Sequence, residues 1–339
     1  MRVVAIVGVV SIHTFAGIVV RPELHGEHGW WVAVAMDLGF VWAVPMFVMI
    51  SGALVLDPRL HAQGPGDFYR RRLSRLLVPF VFWQVFYVFV VRRLLTGLDD
   101  SPGTVLALVL DGRTYTHLYF LWLIVGLYAV APVLEAFLRQ GGSRRAFIFA
   151  GLVLAATVFT YSSAAVLGAA GQERPILLMA LTQWVPYVGY FLAGWALRDS
   201  RPTGVWLVLA GGAAALAVAE IIVQYGTRPH RILDAILPIT YLGPMVVVAS
   251  VTLFLAANGA MGRLRLSGIR GRIVKELSDA AFGVFLVHFV VLILVRRLPI
   301  FEQGTQSVVA AFGVFAVTVV VSFAVTMLLR RTPGLRRLV

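Results

Sequence analysis

The chain has 339 residues, of which 60% are hydrophobic and 13% charged, and a mean hydropathy of +0.88 excludes a soluble globular domain. Its 29 basic against 16 acidic residues give a net charge of +13, but the arginines fall in breaks between apolar runs, where membrane topology puts them, so the charge is not a nucleic-acid footprint. With no cysteine, disulfides, thiolate catalysis, thiolate-bound zinc and iron–sulfur clusters are excluded together.

Apolar runs long enough to cross a bilayer, about 17 to 25 residues, are predicted over 3–20, 30–56, 76–91, 117–138, 146–168, 176–197, 203–223, 235–257, 279–296 and 306–329. The expected fold is an all-α membrane protein of about ten transmembrane helices. The first run lacks a small-x-small cleavage site and more spans follow it, so it reads as a span and not as a removable signal. With the N-terminus inside, 20 of the 29 basic residues fall on the inner side, among them Arg2, Arg59, Arg139, Arg198, Arg263, Arg265, Lys275 and Arg330. The positive-inside rule therefore puts both termini in the cytoplasm. Ahead of the third span, Gly64-Pro65-Gly66 opens onto DFYRRRLSRLL, which predicts a short interfacial helix. No repeat and no long polar linker divides the chain, so one integral domain over 1–339 is expected. The bias toward Arg, Ala, Val and Gly points to a bacterial source, and hence to the cell inner membrane, crossed many times.

Ionisable groups at membrane depth are costly and point to function. His13 lies mid-way along the first span and Arg2 at its inner end; the spacing puts both on one helix face, roughly 16 Å apart along the axis. A histidine hydrogen-bonded to a neighbouring helix, with Arg2 as a simple anchor, is the competing reading. Asp37 falls in the outer third of the second span, where it can orient a histidine, hold a hydroxyl or simply meet water. Ser51 and Gly52 read as a small-residue helix contact. The basic run Arg70, Arg71, Arg72 and Arg75 is either an inside anchor or a phosphate site built from forked guanidiniums. Glu135 and Glu220, near span ends, read as solvated or paired with loop arginines. His288 lies at a depth similar to that of His13, and the two suggest a shared polar cavity. The outer loop RPELHGEHG offers His25, His28, Glu23 and Glu27, but without an HExxH spacing no metal site is expected.

Taken together, these segments resemble the acyltransferase-3 family of integral membrane acyltransferases. RVVAIVGVVSIH is similar to the family's first-helix Arg-x10-His signature, VPMFVMISGALV to the second-helix pattern ending in Ser-Gly, and FYRRRLSRLLVPFVFW to its basic segment followed by proline, here Pro79. THLYFLWLIVGLYAVAPVL looks like the fourth-helix segment, with Tyr128 and Pro132, and FGVFLVH like the late helix ending in histidine, here His288. Many members carry a glutamate where this chain has Ile124 and Val125, and the aromatic-rich segment looks instead like the surface-polysaccharide O-acetyltransferase branch. Many relatives also have an acidic residue upstream of the arginine, whereas this sequence reads Met1-Arg2.

The resemblance implies O-acyl transfer from cytoplasmic acyl-CoA, acetyl-CoA by family frequency, to a hydroxyl of a surface glycan or lipid-linked sugar. The donor's phosphates are expected at Arg2, Arg70, Arg71, Arg72 and Arg75, with the pantetheine arm reaching inward. His13 then acts as general base or carries a transient acyl group. His288 is expected to donate a hydrogen bond to the thioester oxygen and Ser51 to supply a second donor, while Asp37 and Tyr128 meet the acceptor. Lipids are the surrounding partner, with no metal and no nucleic acid. A proton-coupled transporter and an acyltransferase acting on a small secondary metabolite are the alternatives.

Overall fold

The computed structural model describes residues 1–227, 231–262, 267–301 and 304–339; Arg263 and Arg265, counted above on the inner side, lie outside the described residues. The only regular secondary structure among the described residues is helical, without a strand. Among the described residues nine helices are long and apolar enough to cross a bilayer: α1 (Arg2–Val19), α2 (His28–Val55), α3 (Pro65–Leu95), α4 (Tyr119–Arg139), α5 (Gly142–Ala169), then α7 (Val205–Thr227), α8 (Pro244–Met261), α9 (Gly268–Arg296) and α10 (Val308–Arg331). Between α5 and α7 stands the shorter α6 (Val185–Leu197).

The run 176–197 thus forms a helix only in its second half. Thirteen residues of helix reach about 20 Å, short of the roughly 30 Å hydrocarbon core. The first half is irregular and serves the loop before α4: the Ala180 amide donates to Leu110 O at 2.8 Å, and Gln183 Nε2 donates to Asp111 O at 3.3 Å. Irregular backbone at this depth is stable where it lies against protein or lines a cavity. The short apolar helix Pro102–Leu110 leads into the same region, and residues 111–118 descend into the bundle. Within that loop Thr114, His117 and Leu118 are buried, and the Thr114 hydroxyl donates to Gln84 Oε1 of α3.

The basic run 70–75 does not form a separate interfacial helix. From Pro65 the backbone is helical straight into the third span, with π-helical turns over Tyr69–Leu73 and Tyr87–Leu95. Only the turn Pro58–His61 stands apart, capped by the Asp57 side chain. α2 is broken in the middle, between Leu38 and Ala43, where Trp42 Nε1 donates to Gly39 O at 2.7 Å.

More than half of the apolar stretch of α1, α2 and α9 is buried, against 11% for α5 and 17% for α7. The first three therefore form the centre, and the last two face lipid. α1 packs on α2, α9 and α10, while the second half of α2 packs on α6. This last contact is set by a reciprocal pair of glycines. A Cβ on Gly52 would sit 1.8 Å from Phe191 O, and one on Gly194 would sit 1.9 Å from Met49 O, so the backbones touch as small-residue packing requires.

The inner-side loops gather at one end of the bundle. Arg2, Asp57, Arg198, Arg201 and Met261 line one basin there, and Arg75, Asp279, Arg330 and Arg336 line another, so both chain ends lie at the arginine-rich end. At the opposite end Arg92, Arg113 and Gln183 surround a third opening, and Arg21 donates to Thr305 Oγ1 at 3.2 Å.

Candidate active site

Three histidines from three parts of the chain meet in the middle of the bundle. α1 brings His13 and α9 brings His288, with ring centroids 5.5 Å apart and planes inclined by 24°. His117, at the foot of the descending loop, lies 5.0 Å from His288. Phe289 closes the group, 4.5 Å from His13 and 5.1 Å from His117. Tyr87 of α3 stands 4.9 Å from His117 on its other side.

His288 Nδ1 lies 2.7 Å from Phe285 O and 3.2 Å from Val284 O. A carbonyl only accepts, so Nδ1 carries a proton, and in the neutral ring Nε2 is an open acceptor. That Nε2 is buried without a hydrogen-bond partner among the described residues, as are both ring nitrogens of His117. What sets these apart from other buried unpartnered atoms of the chain, such as the Thr318 and Ser322 hydroxyls, is that they gather on neighbouring imidazoles. Donation from His288 Nε2 to a thioester oxygen, expected from the sequence, requires the imidazolium form. Arg296, near the outer end of α9, donates from Nη2 to His13 O at 3.1 Å and Thr14 O at 2.9 Å. It thereby ties α1 to α9 at the level of His13.

Two openings approach this cluster. From the arginine-rich end a narrow cavity of ≈ 180 Å³ runs past Arg2, Ser51 and Tyr128 to Phe120 and Phe285. Phe285 lies 5.1 Å from His117, so this ring stands between the inner end of the cavity and the histidines. From the opposite end a wider vestibule of ≈ 590 Å³ is lined by Arg92, Arg113, Tyr115, Thr116, Tyr119 and Gln183. Its Tyr115 touches the same cluster, 5.1 Å from Phe289 and 6.0 Å from His117. Arg92 forks onto Asp100 at 2.6 and 2.9 Å, and this bond holds the Asp100 carboxyl below the usual carboxylate range.

Of the residues singled out in the sequence, His13 and His288 are in contact, and Arg2, Ser51 and Tyr128 share the narrow cavity. Arg75 lines the wide basin beside it. Arg70 and Arg71 are held by Asp67 at 2.9 and 2.7 Å, and Arg71 and Arg72 line a separate small pocket with Arg59, from which Arg72 still acts electrostatically on Tyr128. Asp37 is buried and lines neither the cavity nor the vestibule; it acts electrostatically on Tyr241, whose hydroxyl neighbours that of Tyr119. Glu135 is buried and paired with Arg139 at 2.7 Å.

Sequence reading missed His117, Tyr115 and Arg296. The signal for the first two was the stretch 102–110, apolar but too short to cross, which calls for a chain that enters the membrane and turns back.

A model of the acyltransferase domain family matches residues 1–327, nearly the whole chain. The chain belongs to the acyltransferase-3 family. It is a multi-pass membrane acyltransferase, as the first-helix and late-helix histidine segments imply, and the acyltransferase fold brings those two segments together as neighbours. Neither the curated proteins nor the solved structures gave a match.

Proposed function

We propose that this acyltransferase takes an acyl group, acetyl by preference, from cytoplasmic acyl-CoA and passes it to a hydroxyl of a surface glycan or lipid-linked sugar at the cell inner membrane. The observation that carries this reading is the histidine cluster between two unlike openings, a narrow one from the arginine-rich end and a wide aromatic one from the other. An acyl thioester on a slender arm suits the first, and a sugar suits the second.

The donor's phosphates stay outside the hydrocarbon at the arginine-rich mouth, on the side of Arg75, while Arg2 lines the cavity that the arm enters and Arg70 and Arg71 are engaged by Asp67. Ser51 and Tyr128 line the path of the arm. At the cluster, neutral His13 takes the proton of the acceptor hydroxyl as its oxygen attacks the thioester carbonyl carbon. The carbon–sulfur bond breaks, the imidazolium returns the proton to the thiolate, and CoA leaves as the thiol. His288 and His117, with open nitrogens beside His13, share that proton during the step. Asp37 acts on the acceptor side through Tyr241 and Tyr119.

Detergent-purified protein is incubated with radiolabelled acetyl-CoA and a glycan extract, alongside His13→Ala. Label in a glycan product with the wild type, and none with the variant, supports the reading. Equal labelling by both removes His13 from the mechanism, and uptake of a solute without covalent transfer replaces the enzyme with a transporter.

A further inference from the structure

The wide basin beside the narrow cavity is walled by α3 and α9 and closed on one side by the end of the chain. After α10 the backbone turns at Gly334, where φ is +87°, and residues 335–339 fold back across α3 and α9. Trp83 Nε1 donates to Leu338 O at 2.7 Å. Val339 and Thr326 together occupy the space that a side chain on Gly283 would fill, since a Cβ there would lie 2.4 Å from Thr326 Cγ2 and 2.9 Å from Val339 Cβ. The result is a basin of ≈ 880 Å³ into which Arg75, Arg330, Arg336 and Arg337 project.

Arg75, Arg336 and Arg337 make no ion pair among the described residues, and Arg330 reaches Asp279 only at 4.0 Å. The rival basin around Arg2 is partly neutralised. It contains Asp57 and Asp199, Arg198 pairs with Asp199 at 3.3 Å, and the Arg198 guanidinium lies 4.0 Å over Trp195. Leu76, Asp279 and Phe282 line both the arginine basin and the narrow cavity, so the two spaces adjoin.

We infer that the basin of Arg75, Arg330, Arg336 and Arg337 is the phosphate site for the nucleotide end of the acyl donor, with the folded-back tail as one wall. The inference rests on acyl-CoA being the donor. Its ligand is a polyanion with several phosphates, which forked guanidiniums bind best, joined to a slender neutral arm that enters the adjoining cavity. The family match ends at residue 327, so three of the four arginines belong to a segment that the family pattern does not describe.

The test is equilibrium binding of CoA and of adenosine 3′,5′-bisphosphate to the detergent-purified full chain, comparing wild type with Arg336→Gln/Arg337→Gln and with the control Arg270→Gln/Arg272→Gln. Losing two charge-assisted contacts weakens both ligands by about ten-fold or more, while the control binds as wild type does. Elution of the variant as a monodisperse peak, with unchanged thermal melting, separates a lost site from a lost fold. Equal binding by wild type and tail variant overturns the inference while leaving the donor intact. That includes the case in which only retention in anionic over neutral lipid nanodiscs changes, which makes the basin a lipid-headgroup site. Wild type that binds no CoA overturns the donor reading and this inference with it.

Discussion

His13 and His288 stack with centroids 5.5 Å apart at the middle of the bundle, although they come from α1 and α9, near opposite ends of the chain. α1 and α9 both start at the arginine-rich end and run in the same direction. His13 is reached eleven residues beyond Arg2, at a depth of roughly 16 Å. α9 starts further out and needs more residues to reach the same level. Two imidazoles held apart from bulk water by Phe285 and Phe289 give a proton acceptor inside hydrocarbon without burying a permanent charge.

Replacing His288 by Gln should lower kcat by about 100-fold and leave CoA affinity unchanged, because the ring touches neither the basic mouth nor the basin. The same split is expected for His117→Gln. Steady-state rates alongside a CoA binding isotherm check this, and a variant that loses CoA binding with kcat unchanged would assign these rings to donor binding.

Arg296 acts on His13 through the backbone. Its guanidinium donates to His13 O and Thr14 O, so Arg296→Met frees that turn of α1 from α9. The expected outcome is a fall in kcat with the donor KM unchanged and partial rescue by Arg296→Lys, which restores one donor. Equal losses in the Lys and Met variants would mean that the fork itself is needed.

At the opposite mouth, Arg92 is already forked onto Asp100, which leaves Arg113 as the vestibule arginine without an ion pair among the described residues. Arg113→Gln should raise the acceptor KM several-fold with the acetyl-CoA KM unmoved. Initial-rate kinetics with each substrate varied in turn measure it.

The close approach of α2 and α6 leaves no room for a methyl group at Gly52 or Gly194. Either glycine replaced by Ala should cost about 1–3 kcal/mol or more of stability, because a backbone carbonyl cannot move aside as a side chain can. Gly212→Ala, with nothing within 4 Å of the added carbon, should melt with the wild type in a detergent thermal-shift series.

The multi-span helical character, the gathering of the arginines at one end and the closeness of His13 and His288 were legible because each rests on a local property: apolar length, the arginines in the breaks, and depth counted in residues from an anchored end; the tenth full span was not. The Ser51-Gly52 step was legible for the same reason, since only small residues permit backbone contact. His117 was not. It sits at the junction of a polar loop and an apolar run, where a sequence shows a boundary and cannot show that the loop dips inward. The half-length α6 was hidden because ILLMAL reads as part of a span, whereas its backbone bonds within local turns and, through the Ala180 amide, to Leu110 O at the end of the helix Pro102–Leu110. The split of the basic run, with Arg75 in the basin and Arg70 and Arg71 on Asp67, depends on helical phase through a π-helical turn, which shifts the faces that regular spacing predicts.

The most direct test of two-sided transfer uses sealed membrane vesicles of opposite orientation, with radiolabelled acetyl-CoA supplied only outside. Inside-out vesicles, which turn the arginine-rich mouth to the medium, should transfer label to the glycan enclosed within them, and right-side-out vesicles should not until they are permeabilised. Equal transfer by intact right-side-out vesicles would contradict the account, because the donor would then be using the wide vestibule.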